Sequence, residues 1–249
     1  MGKFLLKYRS IILLSMDFKP NPNKNLIIEI NGKKFARYPI KTHLVTKEDN
    51  AVDLVEKYAK PHLKEGDILF IGEKCVSITQ GRVYELDKIK PGKVAKFLVK
   101  FVTKSPYGIG LGIPETMQLA VEEAGAFRML FAALVAAITK LFGIKGVFYM
   151  IAGPQAKGID GPVDYAIPPY NKQASKIPFK ANNVAKEMKE RIEFPVAIVD
   201  ACDIGVWIVG RSEGVNDKLL LSALKDNPLG QTDQQTPMGI LREVKNENI

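Results

Sequence analysis

The chain has 249 residues, of which 46% are hydrophobic, and its mean hydropathy of −0.03 is typical of a soluble protein with one large core or two small ones. Its formal net charge is +9, but the 36 Lys and Arg are spread along the sequence; this favours a solvated basic surface over a nucleic-acid-binding stripe and leaves open attraction of anionic nucleotides or polyacids. Two cysteines and two histidines exclude CxxC and HExxH zinc sites, so any metal site must be built mainly from oxygen ligands.

No segment of the sequence is typical of an export signal or a membrane span. Residues 1–16 carry three basic residues before a short apolar run at 11–14, which is too brief for a signal sequence and predicts a strand or a docking arm. The most apolar stretch, residues 129–142, is shorter than the roughly 20 residues that cross a bilayer. We therefore expect a cytoplasmic protein without a membrane partner.

The first half of the chain alternates short apolar runs with segments of helical periodicity. Asn31-Gly32 supplies the positive φ angles of a tight turn, so residues 26–38 are predicted to form a β-hairpin. Apolar spacing then predicts, in chain order, a helix at 48–60, a strand at 68–71, a strand at 83–86 and a helix at 94–102. The glycines of residues 108–112 fit a phosphate loop or a plain connection, because their spacing lacks the full dinucleotide or Walker pattern.

The second half of the chain begins with a strongly apolar stretch. Residues 114–139 predict one long helix or two abutting helices, apolar on every side from 129 to 138, which favours a homodimer interface over a central helix. A strand at 147–152 is expected to deliver the loop that contains Asp160. The remaining predicted elements are a helix at 183–192, a strand at 195–199 that ends at Asp200, a strand at 206–209, a helix at 218–224, a strand at 238–241 and a frayed tail.

Three polar, acidic loops that follow apolar runs are the most informative feature of the sequence. They comprise residues 158–162, 199–203 and 230–237 and contain Asp160, Asp200 and Gln231. A carboxylate at the end of a buried strand loses hydration, and oxygen coordination of a divalent cation recovers that free energy. Taken singly, each residue fits a turn cap, a strand end or a bond to backbone; as an ordered set, the loops predict one metal site that handles phosphate. Cys202 is interpreted as a small buried hydrophobe and not as a nucleophile.

Ordered sequence blocks between about residue 39 and residue 242 resemble the coenzyme F420 gamma-glutamyl ligase family. The blocks are Lys64-Glu65-Gly66-Asp67-Ile68-Leu69, Ser77 with Gln80-Gly81-Arg82, residues 114–123, Gly158-Ile159-Asp160, Ile198-Val199-Asp200, and Gly230-Gln231 with Thr236-Pro237. The resemblance implies the mixed α/β (α+β) fold of that family and an intertwined homodimer. We accordingly expect a β-hairpin arm at 1–38, a ligase-like domain at 39–242 and a frayed tail at 243–249.

The same resemblance implies an enzyme that uses GTP or ATP, with Mg²⁺ or Mn²⁺, to phosphorylate a carboxylate and pass the acyl group to the amine of glutamate. Its partners are then a nucleotide, glutamate and a small-molecule carboxylate acceptor, such as a deazaflavin or a folate-like pterin. Asp160, Asp200 and Gln231 match the family's metal-site positions. The candidate nucleotide-binding residues are Thr42, His43, Leu44 and Val45 in a first loop, and Lys74, Ser77 and Arg82 in or beside a second.

Two single residues depart from the family pattern, and so does the segment Gly161-Pro162-Val163, which replaces a polar continuation after Asp160. Ile78 stands where the family usually has a lysine that meets nucleotide phosphate, and Ala201 stands where it usually has a threonine near the metal. Lys74 and His43 are the candidates to replace the missing charge or donor. Two functions therefore remain: a nucleotide- and metal-dependent amide ligase acting through an acyl phosphate, which the retained metal-site positions favour, and a non-catalytic relative that binds nucleotide or metabolite, which the two single-residue departures favour.

Overall fold

A computed structural model describes residues 18–102, 109–202 and 205–244. The chain divides into two compact units: Met1–Val76 with Lys180–Ile249, which we call the sheet unit, and Ser77–Phe179, which we call the helical unit. The arm predicted at residues 1–16 lies outside the described residues. The mixed α/β class expected from the sequence is confirmed, because both units combine strands with helices.

The strands in the described ranges are β1 Ile27–Ile30, β2 Lys33–Ile40, β3 Ile68–Gly72, β4 Val83–Glu85, β5 Gln173–Ser175, β6 Val196–Cys202, β7 Gly205–Arg211 and β8 Met238–Val244. The α-helices are α1 Ala51–Tyr58, α2 Glu73–Thr79, α3 Lys93–Leu98, α4 Pro114–Ala124, α5 Ala126–Leu141, α6 Val147–Ala152, α7 Pro154–Lys157, α8 Ala181–Ile192 and α9 Asp217–Ala223. Single 3₁₀ turns form at Lys60–His62, Leu86–Lys88, Val99–Phe101 and Tyr170–Lys172.

The sheet unit is built on a six-stranded sheet in the order β1-β2-β8-β3-β6-β7. Strands β3 and β6 are parallel, and the other neighbours are antiparallel. Successive residues of β3 point to opposite faces, and Ile68, Leu69, Phe70 and Ile71 are all buried. Helix α9 packs on one face, whereas α8 packs on β6 and β7 and in turn contacts α1. A strand covered on both faces reads as a continuous apolar run, which is why β3 was predicted correctly.

The predicted β-hairpin is confirmed. Asn31 and Gly32 have φ angles of 51° and 77°, which a tight hairpin turn requires and which these residue types tolerate. The hairpin is continuous with the rest of the sheet, because β2 pairs along its length with β8. Strand β8 continues to Val244, so Glu243 and Val244 of the expected frayed tail are paired, while residues 245–249 lie outside the described part.

The helical unit combines helices α3 to α7 with the antiparallel ribbon of β4 and β5. Its core is formed by Met117, Leu119 and Ala120 of α4 together with Met129 and Ala132 of α5. Residues 114–139 form two helices, the second of the two arrangements predicted, because Gly125 has a φ of 86° and the two axes are bent by 110°. Within the described ranges, no single helix is long and apolar enough to cross a bilayer, although α4 and α5 together satisfy that length and composition.

The strand predicted at residues 147–152 is wrong, because this segment is helix α6. A six-residue apolar run fits a strand or a buried helical turn equally well, and its contacts decide between them. Gly146 and Gly153, with φ angles of 84° and 92°, bound the segment, and α6 packs along α5. Asp160 consequently follows the short helix α7 and not a buried strand.

Candidate active site

Four of the predicted site segments meet at one edge of the six-stranded sheet. Ile40 at the end of β2 and Ile71 near the end of β3 both pair with Met238, the first residue of β8, and Gly72 pairs with Val199 of β6. The backbone N–H of Thr42 donates to Gln235 O at 2.9 Å, and that of Gly72 donates to Pro237 O at 2.7 Å. Residues 42–45, 72–74, 199–200 and 230–237 thus lie along this edge, which we call the site edge.

Asp200 is located on β6, directly after the residue that pairs with the end of β3. The strand continues to Cys202, so the prediction that it ends at Asp200 is wrong by two residues. Asp200 lies opposite Trp207 of β7, and its side chain is half-buried. Its carboxylate is therefore fixed by a rigid paired strand and not by a free loop.

Gln231 lies in the loop that precedes β8. Its Nε2 atom is buried and has no hydrogen-bond partner among the described residues. The loop is held by its own bonds, since Thr236 Oγ1 donates to Leu229 O at 2.7 Å and Thr232 N donates to Gln234 Oε1 at 2.8 Å. A buried polar atom without a partner costs free energy, so the side chain of Gln231 is suited to pair with a bound group.

The first nucleotide-loop segment, Thr42 to Val45, is anchored to helix α1 and to the turn before it. His43 Nδ1 lies 2.7 Å from Tyr58 Oη, and His43 Nε2 lies 2.9 Å from Asp49 Oδ1. Partial burial by itself raises the pKa of Asp49, but hydrogen bonds from Thr46 N–H and His43 outweigh it and hold that pKa below its ordinary value. Both ring nitrogens of His43 are thus occupied, while Thr42 and Val45 are buried and Leu44 is half-buried.

Lys74 and Ser77 lie on helix α2, which begins directly after β3; the prediction that they occupy a loop is therefore wrong. Lys74 is half-buried in the first turn of this helix, at the site edge. The sequence reasoning missed Glu73, whose carboxyl group is buried immediately beyond the strand. A buried carboxylate one residue after an apolar strand is the same signal that identified Asp200, and it adds an oxygen donor to this edge.

Ser77 and Arg82 of the helical unit bind the segment that follows β5. Ser77 Oγ donates to Lys176 O at 2.8 Å, and Arg82 Nε donates to Ile177 O at 2.7 Å. The Arg82 guanidinium also pairs with Glu123 at 2.9 Å. Ile78, one of the two single-residue departures from the family pattern, is buried with 8% exposure. These contacts fix the backbone of the second loop, and a role of Ser77 and Arg82 in nucleotide binding stays a prediction.

Asp160 also belongs to the helical unit. Its backbone forms two 3.0 Å hydrogen bonds with Ser175 in an isolated β-bridge. A Cβ atom on Gly158 would lie 2.0 Å from Ile177 Cγ2, so the Gly-Ile-Asp sequence allows this close approach. Ser175 is almost fully buried, and its Oγ atom has no hydrogen-bond partner within the described residues. The bridge therefore fixes Asp160 beside a buried hydroxyl that the sequence did not indicate.

The three predicted metal-site residues are divided between the two units of the chain. Asp200 and Gln231 are in the sheet unit, whereas Asp160 is in the helical unit. In residues 18–102, 109–202 and 205–244, no group of three or more His, Cys, Asp or Glu is arranged to hold a metal ion. The metal site predicted from Asp160, Asp200 and Gln231 therefore stays a prediction.

A buried cation in the helical unit escaped the sequence reasoning. Lys176 Nζ lies 2.8 Å from Glu122 and 3.3 Å from Glu123, and the Lys176 side chain is only 8% exposed. Burial by itself raises the pKa of Glu122, but hydrogen bonds from Lys176 and Gln118 outweigh it and lower that pKa. Burial lowers the pKa of Lys176, but its bonds to Glu122 and Glu123 and the proximity of Tyr84 raise it overall. Lys176 and Glu122 are 54 residues apart in the sequence, so their pairing leaves no local sequence pattern.

Replacing Lys176 with methionine is expected to reduce the free energy of unfolding at pH 7 by about 2 kcal/mol, because charged hydrogen bonds within a partly buried cluster are lost. The lowered pKa of Glu122 contributes stability above its ordinary pKa of 4.5, and this contribution disappears as the pH falls. The raised pKa of Lys176 contributes stability below its ordinary pKa of 10.5, and this contribution is lost as the pH rises. Urea unfolding of Lys176→Met should therefore show a weaker pH dependence below 4.5 than the wild type.

The matched control for this prediction is Lys186→Met, which removes an exposed ion pair with Glu190 on α8. An exposed pair at this spacing contributes less than about 0.5 kcal/mol. Equal effects of the two substitutions at pH 7 would contradict a structural role for the Lys176 cluster.

The two cysteines are expected to differ in reactivity. Burial, together with the nearby Asp49 charge, raises the pKa of the Cys75 thiol to about 12, so almost no thiolate forms at pH 8. Cys202 is half-buried at the end of β6. In the folded protein a disulfide reagent should therefore modify one thiol quickly at pH 8, and Cys202→Ser should remove that fast phase. Fast modification of two thiols would show that Cys75 is accessible.

Comparison with known proteins identifies the family pattern across most of the chain. Residues 39–208 match the family model described as F420-0:Gamma-glutamyl ligase, which confirms the resemblance found in the sequence blocks. A 78-residue segment is 33% identical to a protein of Methanocaldococcus jannaschii that is described as uncharacterized. That segment covers 30% of this chain and 26% of the relative, so this chain spans about a quarter of the length of the curated relative that it matches.

Proposed function

Because the chain belongs to the F420-0:gamma-glutamyl ligase family, we propose that it joins glutamate, or another amino acid, to a carboxylate of a cofactor-like acceptor. The family suggests gamma-glutamyl ligase activity in general terms. We further propose that a nucleoside triphosphate, GTP or ATP, and a divalent metal ion drive the reaction through an acyl phosphate. The observation that carries this proposal is the convergence of Thr42–Val45, Lys74, Asp200 and Gln231 on the site edge.

Rigid strands support the residues that we assign to the reaction. Asp200 is held within the ladder of β6 and β7, and Gly72, just before Glu73 and Lys74, is tied through its N–H to Pro237 O. Groups positioned on paired strands need little reorganisation when charge develops in a transition state. The positive net charge of +9 also favours the approach of anionic substrates such as nucleotides and carboxylates.

The donor set at the site edge fits a hard divalent cation. Asp200 and Gln231 offer a carboxylate and an amide, and Mg²⁺ and Mn²⁺ prefer oxygen ligands. The amide oxygen and nitrogen of Gln231 exchange places on a 180° rotation, so its buried atom without a partner can be the oxygen. We propose Asp200 and Gln231 as the residues of the sheet unit that would hold the ion, and the role of Asp160 stays what the family resemblance implies. A bound divalent ion would neutralise negative charge on the nucleotide phosphates.

We assign nucleotide binding to residues 42–45 and to Lys74. The backbone of residues 42–45 is fixed by Thr42 N–H and by the two contacts of His43, so it presents a defined edge to a ligand. Lys74, in the first turn of α2, carries a compact charge suited to a phosphate oxygen. This lysine would supply the charge that Ile78 does not.

The proposed chemistry consists of two displacements. An oxygen of the acceptor carboxylate attacks the γ-phosphorus, the bond from that phosphorus to the β-phosphate oxygen breaks, and the nucleoside diphosphate leaves. The amine of glutamate then attacks the acyl carbon, the bond from carbon to phosphate oxygen breaks, and inorganic phosphate and one proton leave. In this proposal the chain aligns carboxylate and nucleotide and stabilises charge on the transferring group, and we assign that role to Lys74 and the site-edge backbone.

A second function is favoured by one observation. Ile78 is buried, and α2 therefore offers no cation at that position to a phosphate. Together with Ala201, this supports a non-catalytic relative that binds a nucleotide or a metabolite.

Calorimetric titration distinguishes the two functions. The wild type is titrated with GTP, ATP and GDP, each with and without Mn²⁺, and with glutamate present the release of phosphate is measured for deazaflavin and pterin acids. The ligase predicts metal-dependent nucleotide binding that Asp160→Ala/Asp200→Ala abolishes, and phosphate release that requires an acceptor. Nucleotide binding without turnover on any acceptor supports the non-catalytic relative, and no nucleotide binding under any condition rejects the ligase.

A further inference from the structure

Three side chains of the sheet unit form a linear hydrogen-bonded series beside the site edge. His43 Nδ1 lies 2.7 Å from Tyr58 Oη, and His43 Nε2 lies 2.9 Å from Asp49 Oδ1. We call these three residues the relay. Tyr58 is the last residue of α1, and Asp49 belongs to the turn before that helix. His43 follows Thr42, whose N–H donates to Gln235 O, so the relay is attached directly to the site edge.

The contacts fix the direction in which the relay can pass a proton. Partial burial by itself raises the pKa of Asp49, but bonds from Thr46 N–H and His43 lower it overall, so this carboxyl is ionised at neutral pH and accepts only. The hydrogen between the two residues is therefore on His43 Nε2. In the neutral ring, Nδ1 is then the acceptor for the phenol hydrogen of Tyr58. Carboxylate, imidazole and hydroxyl are thus in the order that activates a hydroxyl group in catalytic triads.

The relay is accessible to a ligand and is not required to hold the chain in place. The side chain of His43 is 42% exposed and that of Asp49 is 22% exposed, while Tyr58 is half-buried. Hydrogen bonds between groups that water can reach contribute little to stability, because water replaces them in the unfolded chain. The turn before α1 has its own bond, since Thr46 N donates to Asp49 Oδ2 at 2.8 Å. These features favour a chemical role of the relay over a purely supporting one.

The proposed ligase reaction needs a proton acceptor, because the amino group of glutamate is largely protonated at neutral pH and then lacks the lone pair that attacks the acyl carbon. We propose that Tyr58, backed by His43 and Asp49, is the general base of the amide-forming step. This inference rests on the proposed function and adds a catalytic residue to it. Site-edge residues already assigned to the nucleotide and the metal ion leave this task unfilled.

The protons of the step balance in the following way. Tyr58 Oη takes one proton from the ammonium group of glutamate while its own proton passes to His43 Nδ1, and the imidazolium that forms is paired with Asp49. The neutral amine then attacks the acyl carbon, the bond from carbon to phosphate oxygen breaks, and the second proton of the nitrogen leaves with the phosphate. His43 finally returns its proton to solvent through Tyr58.

A nucleophile that needs no base isolates the contribution of the relay. Hydroxylamine is largely uncharged at pH 7.5 and traps an acyl phosphate as a hydroxamate, so hydroxamate formation reports nucleotide binding and phosphoryl transfer alone. With the acceptor that the wild type uses, Tyr58→Phe and His43→Gln are expected to lower glutamate-dependent amide formation by about 10²-fold. Both variants should form hydroxamate at the wild-type rate.

The matched control is Tyr149→Phe, which removes a partly exposed phenol hydroxyl from α6 in the helical unit and should resemble the wild type in both assays. Equal loss of amide and hydroxamate in Tyr58→Phe and His43→Gln would show that the relay only supports the nucleotide loop, and would overturn the proposal. Undiminished amide formation in Tyr58→Phe would overturn it as well. Absence of hydroxamate from the wild type on every acceptor would instead reject the acyl-phosphate chemistry, and this inference with it.

Discussion

Replacing Asp200 with alanine is expected to lower ligase turnover by about 10²–10³-fold while the fold is retained. Asp200 is half-buried on a paired strand, and the proposed reaction uses its carboxylate to hold a cation against the nucleotide phosphates. Loss of that ligand would weaken binding of the cation, whose positive charge would otherwise stabilise the transferring phosphoryl group. The measurement is the rate of acceptor-dependent phosphate release, compared between wild type and variant at saturating nucleotide.

Trp207 provides a second readout for the same variant. It is the single tryptophan of the chain and lies opposite Asp200 across the β6–β7 pair. Addition of Mn²⁺ with nucleotide should change its fluorescence in the wild type, and this change should be absent in Asp200→Ala. Asp87→Asn, on an exposed turn of the helical unit, serves as the control and should behave as wild type. Full turnover in Asp200→Ala would rule out the metal role assigned to this residue.

Asp67→Ala is expected to reduce the free energy of unfolding by about 3–5 kcal/mol, because it leaves a partly buried charge without its partner. The Asp67 side chain is fully buried and receives hydrogen bonds from Arg242 Nε at 2.8 Å, Arg242 Nη2 at 2.6 Å and Lys64 N at 2.7 Å. Arg242 also donates to His62 O at 2.8 Å and lies over the Tyr38 ring. The pair therefore links β8 to the turn before β3, and urea unfolding at pH 7 measures its contribution.

The control for Asp67 is Asp53→Ala, because Asp53 also pairs with an arginine, Arg191, but both side chains are exposed. Exposed pairs contribute less than about 1 kcal/mol, so this variant should unfold close to the wild type. Similar unfolding midpoints for Asp67→Ala and Asp53→Ala would contradict the importance of burial. The Lys64-Glu65-Gly66-Asp67 block was recognised as a family motif, and the structure supplies its physical reason.

Local sequence patterns were sufficient for most elements of the sheet unit. The turn at Asn31-Gly32, the apolar run of β3 and the periodicity of α1 each report a local preference, and α1 is additionally capped by Asn50, which accepts from Val52 N at 2.8 Å. Residues 147–152 show where this approach fails. Six apolar residues bounded by glycines satisfy a strand and a helix alike, and packing against α5 determined the outcome.

The residues of the candidate site also fall into those that the sequence indicated and those that only the structure revealed. Asp200 and Gln231 were predicted from polar residues that follow apolar runs, and residues 42–45 from the family resemblance; the structure brings these segments to one edge of the sheet. Glu73 and Lys176 were missed, because their significance arises from burial, and Lys176 meets its partners across more than fifty residues. The assignment of Lys74 to a loop failed because no residue in Gly72-Glu73-Lys74 signals that a helix begins directly after β3.

The sequence by itself determined the family, the mixed α/β class and most segment types, because these depend on the order of residues and on preferences that act over a few positions. Tertiary structure alone decided that residues 40–45, 72–74, 199–200 and 230–238 share one edge of a sheet, since strand order and register join segments that are distant along the chain. It also decided that Asp160 belongs to a different unit from Asp200 and that the end of α5 is left exposed. Burial and long-range pairing are properties of the packed chain, and no local window of sequence contains them.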